Sequence, residues 1–287
     1  MQLIQQKMQS GHSIGAILID AGKLSSFDAE KILREQKQSN LRFGDAGIKL
    51  GLLKKDDIQF ALARQFDYPY LVQGDHSISE EVVAAFNPFS PIVEQLRALR
   101  TQLMLRWIDA NRIHKSLAIV SPTRAEGRSF VAANLAVVFS QLGERTLLID
   151  ADLRNPQQHK LFKIDNSAGL SAVLSARLTP DHAVTKVGSL LGLSVLPAGA
   201  TPPNPQELIS RDAFSAMLAR YSESYDVIII DTPAAAESAD AQTVAARAGA
   251  ALLVARNNLT PVSMLQSLAA KLQNSNIAMV GSLLNGI

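Results

Sequence analysis

From residue 116 onward, short uninterrupted apolar runs alternate with longer segments of helical spacing. The six runs are 116–120, 146–150, 193–197, 227–231, 251–255 and 279–284. A half-buried strand alternates apolar and polar residues, whereas a run without polar interruption belongs to a strand covered on both faces. Such strands separated by helices predict an α/β fold, a doubly wound and mostly parallel sheet with right-handed crossovers. With 287 residues and 47% apolar content, the chain has room for that sheet and a smaller second domain.

The first run leads into Ser-Pro-Thr-Arg-Ala-Glu-Gly-Arg-Ser at 121–129, and an alanine-rich helical segment follows over 129–141. Strand, loop and helix in this order bring backbone N–H groups and a helix N-terminus onto phosphate oxygens. Gly127 lets the backbone approach a phosphate, and the Ser129 hydroxyl is placed to ligate Mg²⁺. Ser121, Arg124, Glu126, Arg128 and Phe130 complete the expected nucleotide contacts. The usual pattern, G-x-x-x-x-G-K-[ST], fails where Pro122 replaces the first glycine and Arg128 the lysine. Arginine keeps the charge but spreads it over a longer planar fork. Ala125 also adds a Cβ where glycine is easiest. Two other strands end in acids, at Asp150 with Asp152 and at Asp231. Each acid alone reads equally well as a cap for the following turn. Two acid-ended strands beside one phosphate loop instead predict a nucleotide with Mg²⁺ in the crevice at the strand C-termini.

With these residues, segment 90–287 resembles the cytoplasmic tyrosine kinases of bacterial capsule and exopolysaccharide systems, most closely the EpsG-type chain-length-determinant kinases. The likeness rests on the loop, on Leu-Leu-Ile-Asp-Ala-Asp at 147–152 against φφφDxDxR, and on Val-Ile-Ile-Ile-Asp-Thr-Pro at 227–233 against φφφDxP. It extends to Leu-Pro-Ala-Gly at 196–199, Pro-Pro-Asn-Pro-Gln-Glu-Leu at 202–208, Asp-Ala at 240–241 and Leu-Asn at 284–285. The resemblance implies an ATP- and Mg²⁺-dependent protein tyrosine kinase. It makes Arg128, Asp150 and Asp152 the catalytic residues, with Asp150 orienting the attacking hydroxyl. Ser129, Asp152 and Asp231 become the Mg²⁺ ligands, and Asn285 reads the adenine. Glu94, Arg97 and Arg100 follow a Ser90-Pro91 helix start and match the family's E-x-x-R-x-x-R motif, implying a homo-oligomer contact. Read by themselves, they form a solvated charge ladder. An inner-membrane polysaccharide co-polymerase is the implied partner, so the expected location is cytoplasmic, with peripheral recruitment to the inner membrane. The family's tyrosine-rich tail has no counterpart here, since the four tyrosines are Tyr68, Tyr70, Tyr221 and Tyr225. Either the acceptor tyrosines belong to another protein, or the domain is a nucleotide-binding switch with little kinase activity.

Residues 1–73 carry an internal repeat with a period of 29 positions: Ile14-Gly15 and Phe43-Gly44, Gly22 and Gly51, Leu24 and Leu53, Leu33 and Leu62, Gln36 and Gln65. Each copy reads as a short helix, a glycine stop and an amphipathic helix. Ser25 with Asp28 makes a capping box for the first long helix. The repeat resembles the MshEN-type domain of secretion and pilus ATPases, which implies cyclic di-GMP binding through Arg42, Gly44 and Gln65, with Gly15 and Gln36 in the first copy. Ser13 stands where that copy's arginine is expected, so a docking module without the ligand is the competing reading. The domain plan is therefore 1–73 helical module, 74–89 linker and 90–287 nucleotide-binding domain.

No cysteine is present, which excludes a disulfide framework or a thiolate metal site. A net charge of +2 gives no argument for nucleic acid, and five scattered histidines lack metal-ligand spacing. No apolar run reaches the length of roughly 18 residues that a membrane span needs, so no span of its own is expected. Two further readings stand behind the kinase. One is a scaffold coupling cyclic di-GMP to the polysaccharide machinery. The other is a ParA- or MinD-like positioning ATPase, ranked last because Thr123 occupies the place of its signature lysine.

Overall fold

The computed structural model describes residues 13–66, 69–71, 74–108, 114–188, 190 and 192–286. The chain divides into two compact units, Met1–Val72 and Gln73–Ile287.

The first unit contains α1 (Ile14–Asp20), α2 (Ser26–Ser39), α3 (Phe43–Lys49) and α4 (Lys55–Gln65). The repeat is structural as well as sequential. Gly22 and Gly51 end the two short helices at φ +69° and +66°, a conformation open to glycine without a Cβ clash. After them, Lys23 N–H donates to Leu18 O at 2.9 Å and Leu52 N–H to Gly47 O at 3.0 Å, again 29 positions apart. Of the expected capping box the serine half forms, with Asp28 N–H donating to Ser25 Oγ at 3.0 Å, while the Asp28 carboxylate accepts from the Ser25 hydroxyl at 2.8 Å. Helix α1 packs on α4 and α2 on α3, around Leu18, Ile32, Ala46 and Ala61, all fully buried.

The second unit begins with α5 (Val83–Phe86) and α6 (Pro91–Arg106), followed by β1 (Ser116–Val120), α7 (Arg128–Ser140) and β2 (Thr146–Asp150). Three short helices, α8 (Gln158–Leu161), α9 (Leu170–Leu174) and α10 (Pro180–Ala183), lead to β3 (Thr185–Lys186) and β4 (Leu193–Leu196). Then come α11 (Pro205–Ser210), α12 (Asp212–Ser224), β5 (Val227–Asp231), α13 (Asp240–Ala248), β6 (Ala250–Arg256), α14 (Val262–Asn274) and β7 (Ala278–Asn285). The sheet order is β3-β4-β2-β5-β1-β6-β7. Every described pairing is parallel except β3 with β4. Strands β1, β2 and β5 are buried at every position, as uninterrupted apolar runs require. Pro197 falls outside β4, because it has no N–H to give the ladder. The two-residue edge strand β3 carried no sequence signal.

Residues 74–89 are not a free linker. Ile78, Val82, Ala84 and Ala85 are at most 2% exposed. Asn134 on α7 accepts the Ala84 N–H at 2.8 Å and donates to Glu81 O at 3.1 Å, while Gln141 donates to Ala84 O at 2.9 Å. Two amides, Asn134 in the apolar middle of α7 and Gln141 at its C-cap, thus bind this segment to the second unit. Helix α6 starts at Pro91 as expected. Its Arg100 turns inward, donating to Val138 O at 2.6 Å, whereas Arg97 pairs with Glu94 on its own helix at 2.9 Å. Arg100 therefore serves the packing of α6 on α7, and Glu94, 72% exposed, is the outward member of the triplet, with the Arg97 side chain 19% exposed.

Candidate functional site

Strand register assembles the acids. Asp231 on β5 sits beside Ile119 of β1 on one side and Asp150 of β2 on the other, so the phosphate loop and both acidic motifs meet at the C-terminal ends of three adjacent parallel strands.

The loop 121–127 is held from within. Gly127 caps α7 at φ +91°, and Ala125 adopts φ +60°, a left-handed conformation that is strained for a residue with a Cβ. The Glu126 carboxylate is fully buried, accepting from Thr123 N–H and Oγ1 at 2.8 Å each and from Thr260 Oγ1 at 2.6 Å. Its side chain therefore shapes the loop instead of reaching a nucleotide. Asn285 Nδ2 donates to Glu126 O at 3.2 Å and lies over Gly127, where any Cβ would meet it. Arg256 donates to Ala125 O at 2.9 Å. Arg128, 8% exposed, donates through Nε to Thr232 O at 2.9 Å and through Nη1 to Thr123 O at 2.7 Å and to Ser121 Oγ. Arg124 points outward and forms a fork-to-fork pair with Glu237, its Nη2 at 2.8 Å from Oε2.

A cavity of about 390 Å³ opens at the N-terminus of α7. Of the expected residues, Arg124, Glu126, Gly127, Arg128, Ser129, Phe130 and Asp152 line it, joined by Asn155, Gln157 and Glu237. Ser121, Asp150, Asp231 and Asn285 stand outside this lining. Asp150 is fully buried: Oδ2 accepts the N–H groups of Gln157 and Gln158 at 3.0 and 2.9 Å, and Oδ1 that of Asp152 at 3.2 Å. It pins the turn after β2 with both oxygens engaged by backbone N–H groups, and it stands behind the cavity lining. Asp152 Oδ1 accepts from Arg154 and Asn155 N–H, leaving Oδ2 for the cavity. No motif announces Glu237, Asn155, Gln157 or Gln158, whose places follow from the folded course of two loops.

Gln158 Nε2 bridges Ser129 O at 3.1 Å and Asp231 Oδ2 at 2.8 Å. Asp231 Oδ1 and Gln158 Oε1 are buried without a hydrogen-bond partner. Burial pushes the Asp231 carboxyl up to about 6, against the opposing pull of Arg128, Ser129 and Gln158. Burial also raises Asp150 well above the carboxylate range, and the Asp231 charge adds to this. Among the described residues, no three acidic or histidine side chains form a metal cage. Mg²⁺ does not need one, since it takes one or two carboxylates with phosphates and water. The orphaned Asp231 oxygen beside Ser129 and Asp152 fits a cation bound in this way.

In the first unit the glycines have a packing role. A Cβ on Gly15 would press on the Phe43 ring, and one on Gly44 would press on Ile58. Ser13 caps α1, its Oγ accepting the Ala16 N–H at 3.3 Å, while Arg42 at the equivalent place before α3 makes no side-chain cap bond. The serine that replaces an arginine thus contributes a helix cap. Gln36 and Gln65 are half-buried. Tyr68 lies outside the described residues.

The family profile described as Cellulose biosynthesis protein BcsQ matches residues 115–280. A putative tyrosine-protein kinase in the cps region of Klebsiella pneumoniae is 35% identical over 213 residues, covering 74% of this chain and 29% of that protein. The tyrosine-protein kinase YwqD of Bacillus subtilis is 36% identical over 209 residues, covering 73% of this chain and 87% of that protein. The solved kinase domain of the Escherichia coli tyrosine kinase ETK superposes with a TM-score of 0.68 at 34% identity, covering 72% of this chain and 80% of that one. The chain thus spans under a third of the Klebsiella relative and nearly all of the Bacillus one. The order of β-strands, the phosphate loop at the head of α7 and these likenesses agree: the chain belongs to the BcsQ-type family of P-loop proteins, among the relatives named bacterial tyrosine-protein kinases.

Proposed function

We propose that the chain is an ATP-binding, tyrosine-kinase-like regulator of exopolysaccharide chain length and export, acting in the cytoplasm at the inner membrane with a polysaccharide co-polymerase. The observation that carries this reading is the meeting of the α7 N-terminus, Ser129 and Asp152 on one cavity, with Asp231 bridged to Ser129 through Gln158. Bound Mg²⁺ supplies charge neutralisation for the β- and γ-phosphates. Ser129 and Asp152 would hold it, with Asp231 acting through water. The loop N–H groups and the first N–H groups of α7 hold the phosphates. Asp150 keeps the turn carrying Asp152 in place, and Asp152 positions an incoming hydroxyl. Tyr221 is buried and donates its hydroxyl to Pro180 O at 2.8 Å, which favours acceptor tyrosines on another protein. Glu94 and Arg97 are the residues proposed for a homo-oligomer contact.

With labelled ATP, Mg²⁺ and the cytoplasmic segments of the co-polymerase, phosphate should appear on tyrosine, and removing Mg²⁺ should abolish it. Nucleotide binding without transfer would leave a nucleotide-gated scaffold, a second reading favoured by the inward turn of Arg128. No nucleotide binding would end both. The proposal includes a cyclic di-GMP input at Arg42, Gly44 and Gln65. Calorimetry should give binding heat that Arg42→Ala removes, and heat unchanged by that substitution would exclude the site.

A further inference from the structure

The loop carries two arginines that the structure puts to different uses. Arg128 stands where a P-loop places the lysine that reaches the outer phosphates. A guanidinium has five N–H donors, and three of those on Arg128 are spent on Thr232 O, Thr123 O and Ser121 Oγ. These bonds tie the loop to its own first residue and to the turn after β5. The remaining amino group, Nη2, is fixed in the same plane. Following a phosphate would mean breaking buried hydrogen bonds and leaving their acceptors bare.

Arg124 is in the opposite condition. Its side chain is 64% exposed, and among the described residues it pairs with Glu237, 25% exposed. Exposed ion pairs contribute little net stability, so exchanging this partner for another anion is easy. Arg124 and Glu237 line the 390 Å³ cavity at the head of α7, and they also line an adjoining cavity of about 570 Å³ with Arg154, Thr201 and Pro202. The pair stands at the border of the two. Glu237 belongs to a segment hung directly on the phosphate loop, with Ala235 N–H donating to Ser121 O at 3.0 Å and Ala236 N–H to Pro122 O at 2.9 Å.

We propose that Arg124, released from Glu237, is the cation that meets the terminal phosphate of a bound nucleoside triphosphate, while Arg128 remains an internal tether of the loop. This inference rests on the nucleotide reading above and deepens it. The lysine's charge has moved four residues toward the strand, onto a side chain free to swing. Glu237 is set free only when a terminal phosphate is present, so the segment after β5 distinguishes triphosphate from diphosphate through a single ion pair.

Fluorescence titration of the full chain with mant-ATP and mant-ADP in Mg²⁺, together with melting curves without nucleotide, tests the division of labour. Arg124→Gln should weaken mant-ATP about tenfold and mant-ADP less than about twofold, with the nucleotide-free melting temperature unchanged. Glu237→Gln, which leaves Arg124 unpaired, should strengthen mant-ATP about threefold or more. Arg128→Gln should lower the nucleotide-free melting temperature and weaken the two nucleotides equally. If that variant fails to fold, Arg128→Lys should leave the ATP-to-ADP preference as in the parent. An unchanged preference in Arg124→Gln, or a preference that moves with residue 128, overturns the inference while leaving the nucleotide reading intact. Absence of binding by the parent chain removes both.

Discussion

Gly169→Ala lowers the stability of the second unit by about 3–5 kcal/mol, one of the largest effects of a single added methyl group expected in this chain. Gly169 precedes α9 in an extended conformation, and a Cβ there would overlap Pro197 O, Pro197 C and Gly199 N. All three are backbone atoms, so no side chain can swing away. The same backbone is held by Leu170 N–H to Pro197 O at 2.8 Å and Ser171 N–H to Ala198 O at 2.9 Å. Asn166 clasps Gly199 from the other side, accepting its N–H at 2.9 Å and donating to its carbonyl at 3.2 Å. Making room for the methyl group therefore breaks a set of hydrogen bonds as well as a contact. For a unit of this size the loss corresponds to a melting temperature lower by about 10 °C. Gly188→Ala is the control: nothing lies within 4 Å of its added Cβ, and its effect should stay within about 0.5 kcal/mol. A Gly169→Ala protein melting with the control would mean that the 166–171 and 197–199 segments do not meet as described.

That contact also shows what the sequence could and could not convey. Leu-Pro-Ala-Gly at 196–199 is visible as a family match, but its physical reason, a glycine backbone laid against another glycine backbone, depends on Gly169 thirty positions earlier. The sheet is legible because β1, β2 and β5 are buried on both faces and their apolar runs admit no polar interruption. The repeat is legible because a left-handed glycine recurs at a fixed interval. The segment over 78–86 is misread as linker because its anchors are two amides, Asn134 within α7 and Gln141 at its C-cap, in a stretch whose other buried residues are mostly apolar. In the site, strand-end position locates Asp150, Asp152 and Asp231 but does not rank them. The ranking comes from which carboxylate oxygens the backbone already occupies: both of Asp150, one of Asp152, none of Asp231. Glu126 looks like a ligand contact from its place in the loop and proves to be a loop brace, because Thr123 and Thr260 converge on it.

Asp231→Asn should make the nucleotide-free protein more stable at neutral pH and nearly abolish phosphoryl transfer. Asp231 is fully buried beside Asp150, with one oxygen unpartnered. Its carboxyl titrates at about 6 in the folded chain against an ordinary value of 3.8. The folded state therefore holds this proton more tightly than the unfolded state, and the stability attached to it is full below about pH 4 and lost as pH rises through about 6. The displacement, shared with the neighbouring Asp150 carboxyl, corresponds to an amount on the order of a few kcal/mol. Asparagine cannot ionise and escapes the loss, so denaturant titrations should show the variant ahead by up to that amount near pH 8 and level with the parent near pH 4. The sign fits a carboxylate kept charged and uncompensated until a cation arrives. Without that charge the phosphates lose part of their Mg²⁺ support, and the rate of tyrosine phosphorylation should fall by about 10²–10³-fold. A variant less stable than the parent at either pH, with transfer intact, would make Asp231 a packing residue and return the metal role to Ser129 and Asp152 alone.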